Sequence, residues 1–173
     1  DILERISPNE DIYELKLSVI ENFLYGCDIQ SIAAQITKLR FFISLICNCE
    51  KDASKPNFGI PTLPNLETNF VSANSLIAKK KEDRQLNLFK SEEIELIKKE
   101  LHQIRHLHFS AKSTSTKHRL REKDLALREE LIELLSDENN FASDDAKQLA
   151  EWNPYDQNDT SSFFDPEWMF GVA

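Results

Sequence analysis

Apolar and polar residues alternate along this chain in blocks whose periods predict a series of helices and two short strands. Ile12, Leu15, Leu17, Val19 and Ile20 form the stripe of a helix that runs to about Asn22. Ser7-Pro8-Asn9-Glu10 reads as its start: Ser7 caps, Pro8 suits the first helical position, and Glu10 completes a capping box. Phe23 to Cys27 is apolar on both faces and predicts a short buried strand. From about Gln30 to Ile46, the residues Ile32, Ala33, Ile36, Leu39, Phe42, Ile43 and Ile46 recur at helical spacing, which predicts a helix with one buried face. Pro56, Pro61 and Pro64 with Gly59 make residues 48–66 an irregular connection, since Pro stops both a helix and a central strand. Glu67 to Ser72 predicts a second strand, followed by Ala73-Asn74-Ser75-Leu76-Ile77.

The pattern then becomes more helical. A charged stretch begins at Lys79 to Lys81. Ser91-Glu92-Glu93 reads as a helix cap with acids at the positive end of the dipole. Ile94, Ile97, Leu101 and Ile104 continue that helix as a coiled-coil-like seam. Residues 110–116 break the period with Ser-Ala-Lys-Ser-Thr-Ser-Thr, and a second helix follows over about 117–135, with Leu120, Leu127, Leu131 and Leu134 on one side. Two helices of similar length with a short polar joint predict an antiparallel hairpin. Ser143-Asp144-Asp145 starts a short helix to about Trp152, and Asn153 to Val172 reads as a loop rich in aromatic residues. There is no internal repeat.

Composition narrows the possible chemistry. A chain of 173 residues suffices for one ordinary domain, but only 3 Gly is few for a complete α/β enzyme, whose tight turns use glycine. The formal net charge of -9 makes a stand-alone nucleic-acid binder unfavourable, because phosphate affinity comes from Lys and Arg that release counterions. The 3 cysteines, Cys27, Cys47 and Cys49, are odd in number and irregular in spacing, so reduced thiols in a cytoplasmic protein are expected rather than disulfides. Cys47-Asn48-Cys49 lacks a second Cys or His pair at zinc spacing. No apolar run approaches membrane-spanning length, and no secretory signal is visible. The chain begins at Asp1 and ends on Phe170-Gly171-Val172-Ala173, so both ends are expected to be cut from a longer protein.

Several residues are candidates for chemistry, each with a plainer reading. Asp28 ends an apolar run just before a helix; it can cap that helix, or it can accept hydrogen bonds from the ribose hydroxyls of a nucleoside cofactor. His102 and His106 share a helix face with His108 nearby, but no Glu stands between them as in a zinc hydrolase, so a solvated face is expected and no metal. The hairpin turn carries Lys112, Lys117, His118, Arg119, Arg121 and Lys123, either as a solvated tip or as a contact to DNA phosphates, which positions a duplex without reading it. Trp152, Tyr155, Phe163, Phe164, Trp168 and Phe170 read as a base-stacking platform or as core that packs against the rest of a larger protein; exposed in a fragment, they would favour self-association.

Three segments together resemble the N6-adenine DNA methyltransferases of large, fused restriction-modification enzymes. They are Tyr25-Gly26-Cys27-Asp28-Ile29-Gln30 with Ala33 and Lys38-Leu39-Arg40; Leu63-Pro64-Asn65-Leu66-Glu67 with Asn74-Ser75-Leu76-Ile77; and Trp152-Asn153-Pro154-Tyr155 with Phe164-Asp165-Pro166-Glu167-Trp168-Met169-Phe170-Gly171-Val172. The resemblance implies S-adenosylmethionine as cofactor and double-stranded DNA as partner. It implies that Asp28 binds the ribose, Ile29 packs on the adenine, and Asn74, with Ser75 beside it, hydrogen-bonds the adenine ring. Many members of the family carry Asp at the position of Asn74. The family's catalytic Asn-Pro-Pro-Tyr holds a flipped adenine. Asn153-Pro154-Tyr155-Asp156 lacks the second Pro and a leading apolar strand, so the true motif is expected beyond Ala173, and no catalytic residue is expected within the chain.

The expected fold is therefore an α/β fragment, mostly α-helical. Residues 1–78 would supply two or three strands of a doubly wound, Rossmann-like methyltransferase sheet. Residues 79–137 would form the inserted antiparallel helical hairpin, and 138–173 a short helix and an aromatic loop. The isolated fragment is expected to be inactive, to hold no cofactor of its own, and to depend on the rest of its polypeptide. The rival expectation is a helical coiled-coil interaction module with no cofactor site.

Overall fold

Two short parallel strands form the centre of the computed structural model, and their alternating side chains divide the protein into two cores. The structure describes residues 11–77, 88–136, 148 and 152–171. In chain order these form α1 (Ile12–Phe23), β1 (Gly26–Asp28), α2 (Ser31–Ile46), a 3-10 turn (Pro56–Gly59), β2 (Phe70–Ser72), α3 (Leu88–Ser110), α4 (Thr114–Ser136) and α5 (Pro166–Phe170). The strands pair in the register Gly26 with Phe70, Cys27 with Val71 and Asp28 with Ser72. Phe70 points into a cluster with Tyr13, Ile20, Leu45 and Leu66, on the side of α1 and α2. Val71 points the other way, into Ile94, Ile97, Leu101, Leu131, Trp152, Phe163 and the α5 side chains. Opposite orientation of successive strand residues is what allows three residues to serve two cores.

Gly26 makes the close pairing possible. A Cβ there would lie 2.7 Å from Cδ1 of Phe70, so any side chain would displace the ring that anchors the first core. The Phe70 ring in turn stacks on Phe41 of α2, with centroids 4.7 Å apart. On its far side β2 gains a partner with no strand pattern of its own. Ala73 bridges Ser161 in parallel, with Ser161 N–H donating to Ser72 O (2.9 Å) and Asn74 N–H to Ser161 O (3.0 Å). Gly26 N–H donates to Asn69 O and Ala73 N–H to Asp28 O, so by alternation the backbone groups of Cys27 face the outer edge of β1.

Two buried asparagines before β2 close the ends of helices on either side of it. Asn65 Nδ2 donates to the carbonyls of His108 (2.7 Å) and Ala111 (2.9 Å), satisfying the last turn of α3. Asn69 Nδ2 reaches the carbonyls of Ile20, Glu21 and Leu24 at the end of α1. Helix ends leave carbonyls without intrahelical partners, and burying them unpaired is costly. Asn69 thus keeps α1 helical through Phe23, which is why the strand starts at Gly26 and not at Phe23 as the apolar run suggested.

The hairpin of α3 and α4 is tied to the last segment by buried charge. Asp124 is fully buried; its Oδ1 accepts from Arg105 Nε (2.9 Å) and its Oδ2 from Arg128 Nε (2.7 Å). Arg105 Nη1 also donates to the carbonyls of Trp168 (2.6 Å) and Met169 (3.1 Å), and Arg128 Nη1 to the carbonyl of Trp152 (2.7 Å). Lys98 adds a half-exposed ion pair with Glu167 at 2.8 Å.

Other expectations shift in instructive ways. The Ser7–Glu10 capping box and the Lys79–Lys81 stretch lie outside the described residues, as does most of the helix expected over 143–152. Asp11 caps α1, its carboxylate accepting from Tyr13 N–H at 2.8 Å. α3 begins at Leu88, so Ser91 lies inside it; Leu88 to Lys90 are adequate helix formers and extend it past the cap signal. α4 starts at Thr114 because Ser113 Oγ accepts from Thr116 N–H (3.1 Å), turning the expected joint into a cap. The final segment is not wholly loop: Asp165 caps α5 with Pro166 at its first position, and Gly171 ends it in the left-handed conformation (φ 69°). The α2 face expected to be buried, Ile32, Ile36, Leu39, Ile43 and Ile46, is largely exposed, while Ala34 and Leu45 are buried. α2 is apolar on two faces and the small sheet covers only one.

Replacing Asp124 by Ala strands two buried guanidinium groups. The urea midpoint should fall by an amount equal to about 3–5 kcal/mol, whereas Glu129→Ala on the exposed side of α4 should change stability by no more than about 0.5 kcal/mol.

Candidate functional site

The carboxyl ends of β1 and β2 bring Asp28, Ile29 and Asn74 to one edge of the protein. Asp28 closes β1 opposite Ser72, and the backbone beyond it is fastened to β2 by the Ala73 N–H to Asp28 O bond (2.9 Å) and by Ser72 Oγ reaching Ile29 O (3.4 Å). Ser72 Oγ also meets Thr160 Oγ1 at 2.9 Å, so three chain segments fix this turn. The Asp28 side chain is exposed; Oδ1 accepts from Gln30 N–H (2.8 Å), the local bond of a helix-start acid, and Oδ2 has no partner among the described residues. Ile29 presents its side chain to solvent at 58% exposure. Asn74 is half-buried; its Oδ1 accepts from Leu76 N–H (3.1 Å), and its Nδ2 has no partner among the described residues. Ser75 is exposed beside it.

A free carboxylate oxygen can accept from ribose hydroxyls, an exposed aliphatic side chain can lie on a base, and a free amide nitrogen can donate to a ring nitrogen. Cys27, the residue before Asp28 in β1, is not a nucleophile candidate. Burial pushes its thiol up, although its bond to Ala73 O (3.3 Å) acts the other way.

The basic residues of the hairpin tip divide into two groups. Lys112 and Arg119 are exposed and Lys117 is half-buried. Arg121 turns inward: its Nε donates to His108 Nε2 (3.2 Å), its Nη2 lies 3.5 Å from Glu67 Oε1, and its guanidinium sits 5.2 Å over the Tyr155 ring. The three histidines on α3 do not converge. His102 packs against Gly171, His106 is exposed beside Glu21 at 3.5 Å, and His108 is fully buried against Tyr155. Among the described residues, no group of three or more His, Cys, Asp or Glu is placed to hold a metal ion.

Asn153-Pro154-Tyr155-Asp156 forms a turn, in which Asn153 Oδ1 accepts from Tyr155 N–H (3.1 Å) and Asn153 N–H donates to Asp159 (2.9 Å). Tyr155 is occupied by packing: burial, followed by the Asp124 charge, raises its hydroxyl far above the ordinary range, so it stays neutral. Trp152, Phe163, Trp168 and Phe170 are buried in the core, and Tyr155 and Phe164 are half-buried. No helix among the described residues is long and apolar enough to cross a membrane.

Against known proteins, 67 residues of this chain, 39% of its length, are 48% identical to a Methanocaldococcus jannaschii protein named "Putative type II restriction enzyme and methyltransferase RM.MjaORFECS2P". The match spans 6% of that protein, so the chain corresponds to a small part of it. No family model matches the chain. No solved structure matches it.

The buried His108 imidazole gives the hairpin a pH limit. Burial, the largest cause, with the positive charges of Arg121 and Lys117, lowers its pKa from the ordinary 6.5, while Glu67 opposes the shift. Its Nε2 can accept from Arg121 only when unprotonated. Stability contributed by the neutral ring is therefore complete above 6.5 and lost as pH falls below it. Thermal melts between pH 8 and pH 5 should show a decline that begins near 6.5, and His108→Gln should flatten that part of the profile.

Proposed function

We propose that this chain is the cofactor-binding part of a DNA adenine-N6 methyltransferase domain in a type II restriction-modification enzyme. The observation that carries the reading is the placement of Asp28 and Asn74 at the carboxyl ends of two adjacent parallel strands, with a carboxylate oxygen and an amide nitrogen that have no partner among the described residues. Open parallel sheets bind their ligands at that end. The identity with the Methanocaldococcus protein supports the same enzyme class. Helices on both faces of the sheet support a doubly wound methyltransferase architecture, extended by strands pairing with the outer edge of β1.

In this reading S-adenosylmethionine supplies the methyl group for N6 of an adenine flipped out of double-stranded DNA. Asp28 accepts from the ribose hydroxyls, Ile29 covers one face of the cofactor's adenine, and Asn74 donates to its ring, with Ser75 beside it. These residues bind and orient; they move no proton. Lys112, Lys117 and Arg119 contact DNA phosphates from the hairpin tip, while Arg121 mainly secures the tip to Glu67 and Tyr155. The rival, a free-standing coiled-coil module, is less favoured because the hairpin seam is spent on the core: Ile94, Ile97, Leu101 and Leu131 pack with Val71 and Trp152.

Titration calorimetry on the full-length protein tests the cofactor site. Asp28→Ala should weaken S-adenosylmethionine binding by about 10–100-fold, the loss of one or two hydrogen bonds to a charged group. Unchanged affinity in a folded variant would remove Asp28 from the site. Replacing Lys112, Lys117 and Arg119 together by Ala should reduce the dependence of log K on log salt by up to about 3, and an unaltered slope would exclude the tip from DNA contact.

A further inference from the structure

The outer face of α2 carries Ile32, Ile36, Leu39, Ile43 and Ile46, exposed to 59, 51, 56, 53 and 39%. Their spacing repeats four, three, four, three, which is the seam of a coiled coil and not the pattern of a solvated helix face. The inner face of the same helix is already served by Ala34, Leu45, Phe41 and Phe42 against Phe70 and the α1 side chains. The outer row is thus surplus to the fold. Isolated exposed aliphatic residues are ordinary, but a contiguous row of five marks an interaction surface.

We propose that this row is the interface of a symmetric dimer in which α2 of one copy packs against α2 of another. Three observations favour a second copy as occupant. The row is self-complementary, since knobs at this spacing fit holes of the same spacing, and a two-fold axis requires one patch to meet itself. α2 contains no Asp or Glu, and Arg40 is the one charged residue exposed beside the row, so nothing here selects an oppositely charged partner. A long Arg side chain can lie along the rim with its head in water, so two copies of Arg40 do not oppose the contact. Each face leaves roughly 500 Å² of aliphatic surface in water, so pairing would bury about 1,000 Å², below the range of permanent interfaces and in that of a weak, reversible dimer. The surface is separate from Asp28 and Asn74, and the proposal does not depend on the methyltransferase reading.

Analytical ultracentrifugation of the full-length protein is the test, so that a face covered by the rest of the polypeptide reads as a monomer. The expected result is a monomer-dimer equilibrium with a dissociation constant of roughly 1–100 µM, undiminished in high salt because the contact is apolar. Ile36→Glu with Ile43→Glu should raise that constant at least about 100-fold, with the helical circular dichroism unchanged because both positions are exposed. Ile43→Ser gives a milder version should the double variant fold poorly, and Leu96→Glu, on the exposed side of α3, should leave the dimer intact. A monomer throughout the concentration range would overturn the proposal. So would a dimer that survives the α2 substitutions, or one that salt dissolves.

Discussion

The Asp124 carboxylate is the contact on which the arrangement of this protein depends. It lies in the interior between two guanidinium groups, one from each arm of the hairpin, and each of those reaches on to carbonyls of the final segment. A buried ion pair is weak evidence of net stability, because desolvation offsets most of the attraction. Its value here is in specification. Arg105 and Arg128 cannot be left half-paired in an apolar core, so α3, α4 and α5 with the Trp152 turn must come together in one register. The aromatic side chains then fill the space that the charges define. Tyr155 belongs to the same unit: its ring packs on His108 beneath Arg121, and its hydroxyl is held neutral by burial and by the Asp124 charge.

Helices were the legible part of the sequence. The seam of Ile94, Ile97, Leu101 and Ile104 is buried as its period predicts, and the hairpin follows from two such stripes and a Ser-Thr joint. Asp165-Pro166 followed by Gly171 was an equally good start and stop signal for α5, but the surrounding aromatic residues obscured it. Strand limits were not readable, because Phe23 and Leu24 are as apolar as a strand requires. What assigns Phe23 to a helix is the buried amide of Asn69, 46 residues away in the chain. A local pattern cannot register a cap supplied from so far off. The same limit applied to Ser161, whose polar neighbours Thr160 and Ser162 gave no strand signal, and to α2, whose two apolar faces look alike until the size of the sheet is known.

The candidate site divides along the same line. Asp28 and Asn74 stood out because each follows an apolar run, and the parallel register brings both to one end of the sheet. Which of their donor and acceptor atoms lack a partner among the described residues is set by the turns that follow each strand. Arg121 was grouped by charge with Lys112, Lys117 and Arg119, yet it turns towards Glu67 and His108, since a planar guanidinium can stack and donate at once where an ammonium cannot. The buried Asp124 could not be told from its exposed acidic neighbours, because a single polar residue on a helix looks the same inside or out.

The Ser161 bridge gives the sheet a direction of growth. One flank of β2 is taken by Ser161 and the other by β1, so the backbone groups of Cys27 are the outer flank of the paired strands, without a partner among the described residues. At Gly26 the place of a side chain is filled by the Phe70 ring, so the strand is held close against the first core. The exposed ladder is three residues long, too short to recruit stray chains firmly. The paired strands are in this sense one-sided: closed on one flank by the protein's own last segment, with Cys27 facing outward on the other among the described residues.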